Sequence, residues 1–370
     1  MIRSRKTWLI GLVVAAAAGM LGALASTASA ADVTLKFAYV TGPTHPYGVT
    51  MTQFKRLVET NSNGRIAVNL TPLYPGGDIP LLNDIKGGSQ DGGAVSTAVF
   101  AQTGTTTGQT RIKNFVALQM PFLIDSYQLE NRVISNSSGI AKRMLNLKSA
   151  GLQGLALFEG QMRQLVSKGA PIRTLADLRG KKMRTVQSDI LNDNAVALGI
   201  SPTPLAVGDV TQALANGTVT GVEANSALVL TNRWAQAPSS ANHITLLNWF
   251  PFPAAVVMNQ AKWNSLTPSD QAVVTNAAKD LPSFSVNLNE SAAFTQTTQA
   301  TLCAAPNNVR YYRLPQSERK KFIAASQKVY KKWLKDRQVA PYIRAIQAIK
   351  ARGHFARGVT DSPPASCMEQ

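Results

Sequence analysis

From Val33 to Leu70 the chain reads strand, turn, helix, strand, and that order decides how its first sheet is built. Val33, Leu35, Phe37 and Tyr39 alternate with their neighbours at the period of a strand. Gly42-Pro43-Thr44-His45-Pro46 then turns the chain, and Met51, Phe54, Leu57 and Val58 fall on one helical face. Asn63-Gly64 ends the helix, after which Ile66, Val68 and Leu70 alternate again. Two strands separated by a helix cannot close as a hairpin, so a βαβ unit and a parallel sheet are expected. The fold class is α/β.

The rest of the chain alternates in the same way. Pro75-Gly76-Gly77-Asp78 reads as a loop before a helix around Leu81–Ile85, and Gly92–Val99 as a buried strand. Gln128–Ile134 and Ile140–Leu147 are amphipathic helices; Leu152–Phe158, Met183–Val186 and Val219–Glu223 are strands. Trp249–Met258 is apolar and proline-broken, suited to carrying the chain back into its first domain. Thr267-Pro268-Ser269-Asp270 is a helix start, with a threonine cap, proline at the first position and an acid at the third. A late helix begins near Pro315 and carries Phe322, Val329 and Trp333; from Gly353 onward the tail is polar and expected to be irregular.

Residues 1–30 read as a signal peptide. Arg3, Arg5 and Lys6 precede an apolar stretch from Trp8 to about Leu24, and Ala28-Ser29-Ala30 is the small-residue pattern that a signal peptidase needs. The rival reading, a membrane anchor, suits the short Ala/Gly-rich run less well. Cleavage would leave 340 of the 370 residues, more than one core usually holds, so two domains are expected. Removing those three basic residues takes the formal charge from +18 to +15. An exported chain whose basic residues read as dispersed is not expected to bind nucleic acid; a solvated basic surface, or attraction of anionic ligands, accounts for the balance. Cys303 and Cys367 lie far apart in no metal-binding spacing, and in an oxidising compartment one disulfide is expected, with two free thiols as the alternative.

The usual catalytic patterns are missing. His45, His243 and His354 are too scattered for a zinc site, and no HExxH sequence or EF-hand loop occurs. Gly87-Gly88-Ser89-Gln90-Asp91 lacks the second flanking glycine of a nucleophile elbow, and no phosphate-binding glycine loop follows a strand. No cofactor or metal is expected, and no enzyme.

The informative stretch runs from Phe158 to Asn225. It holds Glu159-Gly160-Gln161-Met162-Arg163, then Asp177-Leu178-Arg179-Gly180-Lys181-Lys182-Met183-Arg184, then Ala213-Leu214-Ala215-Asn216-Gly217 and Val219-Thr220-Gly221-Val222-Glu223-Ala224-Asn225. Together, in this order, these motifs resemble the solute-binding proteins of TRAP (tripartite ATP-independent periplasmic) transporters, the dicarboxylate-binding DctP-like family. His45-Pro46, Gly64-Arg65-Ile66, Pro75-Gly76-Gly77, Met120-Pro121-Phe122-Leu123 and Trp263 with Leu266 extend the likeness over nearly the whole mature chain.

The resemblance implies a two-lobed periplasmic fold with a ligand cleft between the lobes and a long helix across both. Lobe I would take 31–160 plus 249–288, lobe II 161–248 plus 289–316, and C-terminal helices and tail 317–370. It implies a small organic acid as ligand, a class spanning C4-dicarboxylates, keto acids, sugar acids and sialic acid, and delivery by a monomer to a small and a large membrane subunit. Arg184, ending the Asp-Leu-x-Gly-x-Lys-x-Arg pattern, would pair with the ligand carboxylate, and Arg163 would be the second arginine. Chemistry supports the first assignment, because a guanidinium offers a planar fork of donors that matches a carboxylate. Arg184 also ends a buried strand, where open α/β sheets place ligands. Arg163 has a rival role, a salt bridge to Glu159 or another acid. At Glu223-Ala224-Asn225 the sequence departs from the family's Glu-Asn, leaving open whether Asn225 takes over the contact. Glu223, His45 and Trp249 complete the candidate ligand contacts, the last two with an ordinary turn or core role as the alternative. The rival functional readings are a periplasmic enzyme or a ligand-sensing protein acting on an organic acid.

Overall fold

The computed structural model describes residues 31–102, 111–355 and 362–369. The predicted signal peptide lies outside the described residues. In chain order the strands are β1 (Val33–Tyr39), β2 (Ile66–Thr71), β3 (Gly92–Ser96), β4 (Leu152–Phe158), β5 (Gln164–Ser167) and β6 (Lys182–Thr185). They continue with β7 (Ser201–Pro204), β8 (Gly221–Ala224), β9 (His243–Leu246), β10 (Ala254–Asn259), β11 (Arg310–Arg313) and β12 (Met368–Glu369). One sheet runs β2-β1-β3-β10-β4 and the other β12-β11-β9-β5-β8-β6-β7.

The first βαβ unit forms as its pattern dictates. Val33–Ala38 pairs in parallel with Ile66–Thr71, and the helix Pro46–Asn61 between them buries Met51, Phe54 and Val58. In each sheet a single strand runs against the rest: β10 is antiparallel to β3 and β4, and β5 to β8 and β9. Those two strands are the ones that arrive directly from the other sheet, β5 after β4 and β10 after β9. Every other strand ends, at its C-terminus, on the side where the chain crosses. The crossing segments are hydrogen-bonded to each other, Arg163 N to Phe250 O (2.9 Å) and Trp249 N to Arg163 O (3.0 Å). Gln164 locks them further, its Oε1 accepting from Leu247 N and Asn248 N at 2.7 and 2.8 Å. Gly160 is needed here, because a Cβ would stand 1.6 Å from Phe252 O.

The long helix is present in three consecutive pieces, Pro268–Lys279, Leu281–Glu290 and Ala292–Cys303. Pro282 lacks the N–H that would continue the first piece, and Ser291 caps the third by accepting from Phe294 N. The middle piece packs on β4 and the last on the helix Ser226–Thr231 of the other sheet, so the run does span both. No described helix is long and apolar enough to cross a membrane.

Three readings from sequence need correction. The strand expected over Gly92–Val99 stops at Ser96, whose hydroxyl accepts from Ala98 N and starts a tight turn. The tail is not wholly irregular: Met368–Glu369 pairs with Tyr311–Tyr312 as an edge strand, next to a Cys303–Cys367 disulfide. Nor are the basic residues evenly dispersed. From Arg310 to Phe355 there are 13 Lys and Arg against only Glu318 and Asp336, most of them exposed on the terminal helices.

Candidate functional site

The C-terminal ends of the strands and the two crossings surround one cavity. β6 places Arg184 there and β8 leads into Asn225; the segment before β5 brings Arg163 and that before β10 brings Phe252. From the other sheet come His45, in the loop after β1, and Asp78, at the start of the helix Asp78–Gly87. The cavity offers about 40 Å³ to the centres of water-sized spheres.

Arg184 is almost fully buried, at 2% exposure. Its Nε and Nη2 both donate to Leu205 O, at 3.0 and 2.8 Å. The fork expected to grip a ligand is therefore half used by the backbone, which fixes the plane of the guanidinium. Nη1 has no hydrogen bond and stands 3.7 Å from Glu223 Oε1. Burial draws the Arg184 pKa down to about 10, against the pull of Glu223, so the group stays charged at neutral pH.

Arg163 lies at 3% exposure with its guanidinium 3.6 Å above the Phe252 ring. Its Nη1 donates to Glu223 O at 3.3 Å and pairs with Glu223 Oε2 at 3.5 Å, while Nε has no partner. Its acid partner is thus Glu223 and not Glu159. A cation stacked on an aromatic face and pinned at one end presents the rest of its donors in a fixed direction.

Glu223 sits behind the two arginines and does not line the cavity. Its Oε1 also accepts from Val186 N at 3.1 Å. Asn225 does line it, but its Oδ1 is engaged in capping the helix Ser226–Thr231 by accepting from Leu228 N at 2.7 Å. Only the amide nitrogen remains for a ligand. Trp249 is 1% exposed, packed against Phe250, and absent from the lining; what it gives the site is its backbone bond to Arg163.

His45 lines the cavity at 3% exposure. Its Nδ1 accepts from Tyr47 N at 3.2 Å, so in the neutral ring the hydrogen is on Nε2, which has no partner. Burial, and then Arg163, hold its pKa down at about 3, against the neighbouring Asn225 side chain, which pulls it up. Thr41, 7% exposed, also lines the cavity with an unpartnered hydroxyl. Thr41 and Asp78 were not singled out from sequence. Asp78 follows two glycines at a helix start, where an acid ordinarily serves the helix end, so nothing in the pattern marked it for a ligand.

The geometry defines a class: a two-lobed α/β binding protein whose enclosed site is lined by two fixed guanidinium groups. The family description "Bacterial extracellular solute-binding protein, family 7", DctP, matches residues 37–336, and the chain belongs to that family. It is similar to the C4-dicarboxylate-binding periplasmic protein DctP of Rhodobacter capsulatus, 29% identical over 71% of this chain and 75% of the relative. Among solved structures, a TRAP periplasmic solute-binding protein of Ralstonia eutropha with bound (S)-2-acetolactate is 26% identical, with TM-score 0.76 over 86% of this chain and 99% of that one. One from Shewanella oneidensis with bound succinate shares the fold at 21% identity, with TM-score 0.75 over 85% of this chain and 98% of that one.

Proposed function

We propose that this chain captures a small organic acid in the periplasm, holds its carboxylate between Arg184 and Arg163, and delivers it to the two membrane subunits of a TRAP transporter. One observation carries the reading. Four residues around a single cavity, Thr41, His45, Arg163 and Arg184, each present a buried polar atom with no hydrogen-bond partner. Buried donors are almost always satisfied, so four converging on one space mark where an acceptor-rich ligand belongs. The named ligands of similar proteins, a C4-dicarboxylate and acetolactate, are of that kind.

The lobes would be 31–160 with 249–288 and 161–248 with 289–316, closing about the two crossings, with 317–370 as an outer layer. The chain acts as a monomer and as a binding component, not an enzyme, in keeping with its membership of a solute-binding family. Titration calorimetry with a panel of small organic acids tests the proposal, along with mass spectrometry of what co-purifies. Saturable binding of at least one unchanged acid supports it; turnover of the bound acid, or no binding across the panel, overturns it. Export predicts a mature N-terminus at Ala31, and Edman sequencing of periplasmic protein that returned Met1 would remove that part.

A further inference from the structure

The anion grip explains one wall of the cavity and leaves the opposite wall unused. Asp78 is the one carboxylate among the described lining residues. Its Oδ1 accepts from Ser96 N at 2.8 Å, which holds the side chain toward the cavity from the first turn of its helix. Of the other polar groups on this side, Tyr47 donates to Phe252 O, His45 offers Nε2–H, and the unpartnered Thr41 hydroxyl can donate or accept without carrying charge.

The charges make this consequential. Arg163 and Arg184 supply two positive charges; Glu223, paired with both, and Asp78 supply two negative ones. The empty site is already balanced. A ligand with one carboxylate adds one negative charge against the arginines. A second carboxylate would add another in an enclosed space beside Asp78, where like charges are poorly screened. A hydroxyl or ammonium at that end would instead donate to Asp78. Burial pushes the Asp78 carboxyl up to about 6, although the Ser96 N–H, Arg184 and Arg163 all pull it down, so at pH 7.5 it is mostly ionised and an acceptor.

We propose that Asp78 is the specificity residue of this site, selecting small monocarboxylates that carry a hydrogen-bond donor at the far end over dicarboxylates of the same length. This rests on the carboxylate reading given above. A site built to accept from a donor rejects a ligand that lacks one, because its own buried group is left unpaired.

The test compares 4-hydroxybutyrate, 4-aminobutyrate and 3-hydroxybutyrate with succinate and butyrate by titration calorimetry at pH 7.5, for wild type, Asp78→Asn and Arg184→Ala. The expected result is that wild type prefers a donor-bearing acid over succinate by about tenfold or more. Asp78→Asn should bring that ratio close to one or reverse it, while Arg184→Ala weakens every acid together. Asparagine keeps an oxygen for the Ser96 N–H, and circular dichroism confirms that the variant folds. If the acids bind and depend on Arg184, yet wild type and Asp78→Asn share the same ratio, the specificity proposal is wrong and the carboxylate reading stands. Preference of wild type for succinate also overturns the proposal alone. If no acid of any class binds wild type, both fall.

Discussion

The two walls of the cavity are built on different principles. On the side of the seven-stranded sheet, Arg184 belongs to a strand, Arg163 is tied to the other crossing by two backbone bonds, and Glu223 joins them at 3.5 and 3.7 Å. That wall is rigid and highly charged. On the side of the five-stranded sheet, Thr41 and His45 come from the loop after β1, and Asp78 from a helix start after two glycines. That wall is mostly neutral and set on connections, which change more readily than strands do. The difference separates two tasks: recognising an acid, and telling one acid from another. Mutations on the first wall should alter affinity for all ligands, and mutations on the second should alter ratios.

The largest expected effect is on the charged wall. Arg184→Ala should weaken binding of the cognate acid by about 3–5 kcal/mol, a hundredfold to several thousandfold, since it leaves a buried carboxylate without its partner. Arg184→Lys should restore only part of this, because an ammonium cannot keep both bonds to Leu205 O and still face the ligand. Calorimetry on folded variants decides it. Binding of Arg184→Ala at wild-type strength would dissolve the contrast between the walls.

Glu223→Gln should act in the opposite sense on two observables. Removing its charge leaves two buried guanidinium groups facing each other, a cost of roughly 2–3 kcal/mol to the empty protein, moderated because the amide oxygen still accepts from Val186 N. A bound carboxylate supplies the missing negative charge, so the thermal shift on adding ligand should grow. Differential scanning fluorimetry with and without the acid reads both. A variant that is less stable and no better rescued by ligand would mean that Glu223 serves the core and not the grip.

How much of this was legible in the sequence follows the same division. Arg184 and Arg163 could be named because both sit in an ordered set of motifs, and β1, β2, β4 and the helix cap at Thr267 could be placed because their periodicity and capping are local signals. β5, β7, β9 and β11 were missed: each is four residues long, too short to show alternation against its flanks. Glu223 was read as a ligand contact because sequence shows residue type and not depth; that it lies behind the arginines is a tertiary fact. Trp249 was chosen for its aromatic ring, whereas its backbone is what touches Arg163. Asp78 left no trace at all, since an acid at a helix start has an adequate local reason to be there.

The smallest effect tests the neutral wall, through two groups that titrate against each other. His45 has its pKa lowered from 6.5 to about 3, so the unfolded chain binds its proton more readily. It therefore contributes stability above pH 6.5 that is lost as pH falls from about 6.5 towards 3. Asp78 has its pKa raised from 3.8 to about 6, so the folded chain holds its proton more tightly; stability is present below pH 3.8 and lost as pH rises through about 6. Between about pH 6 and 4 the two slopes oppose and largely cancel. His45→Asn breaks the balance while keeping a capping side chain for Tyr47 N. Relative to wild type, it should become more stable on acidification across that window, by on the order of 1 kcal/mol per pH unit. Asp78→Asn should drift the other way. Urea unfolding of the empty protein at several pH values measures both, and taking each variant against wild type removes every titrating group they share. A His45→Asn difference that does not change with pH would show that this histidine is not held neutral beside Arg163, and this wall would lose the neutral character assigned to it.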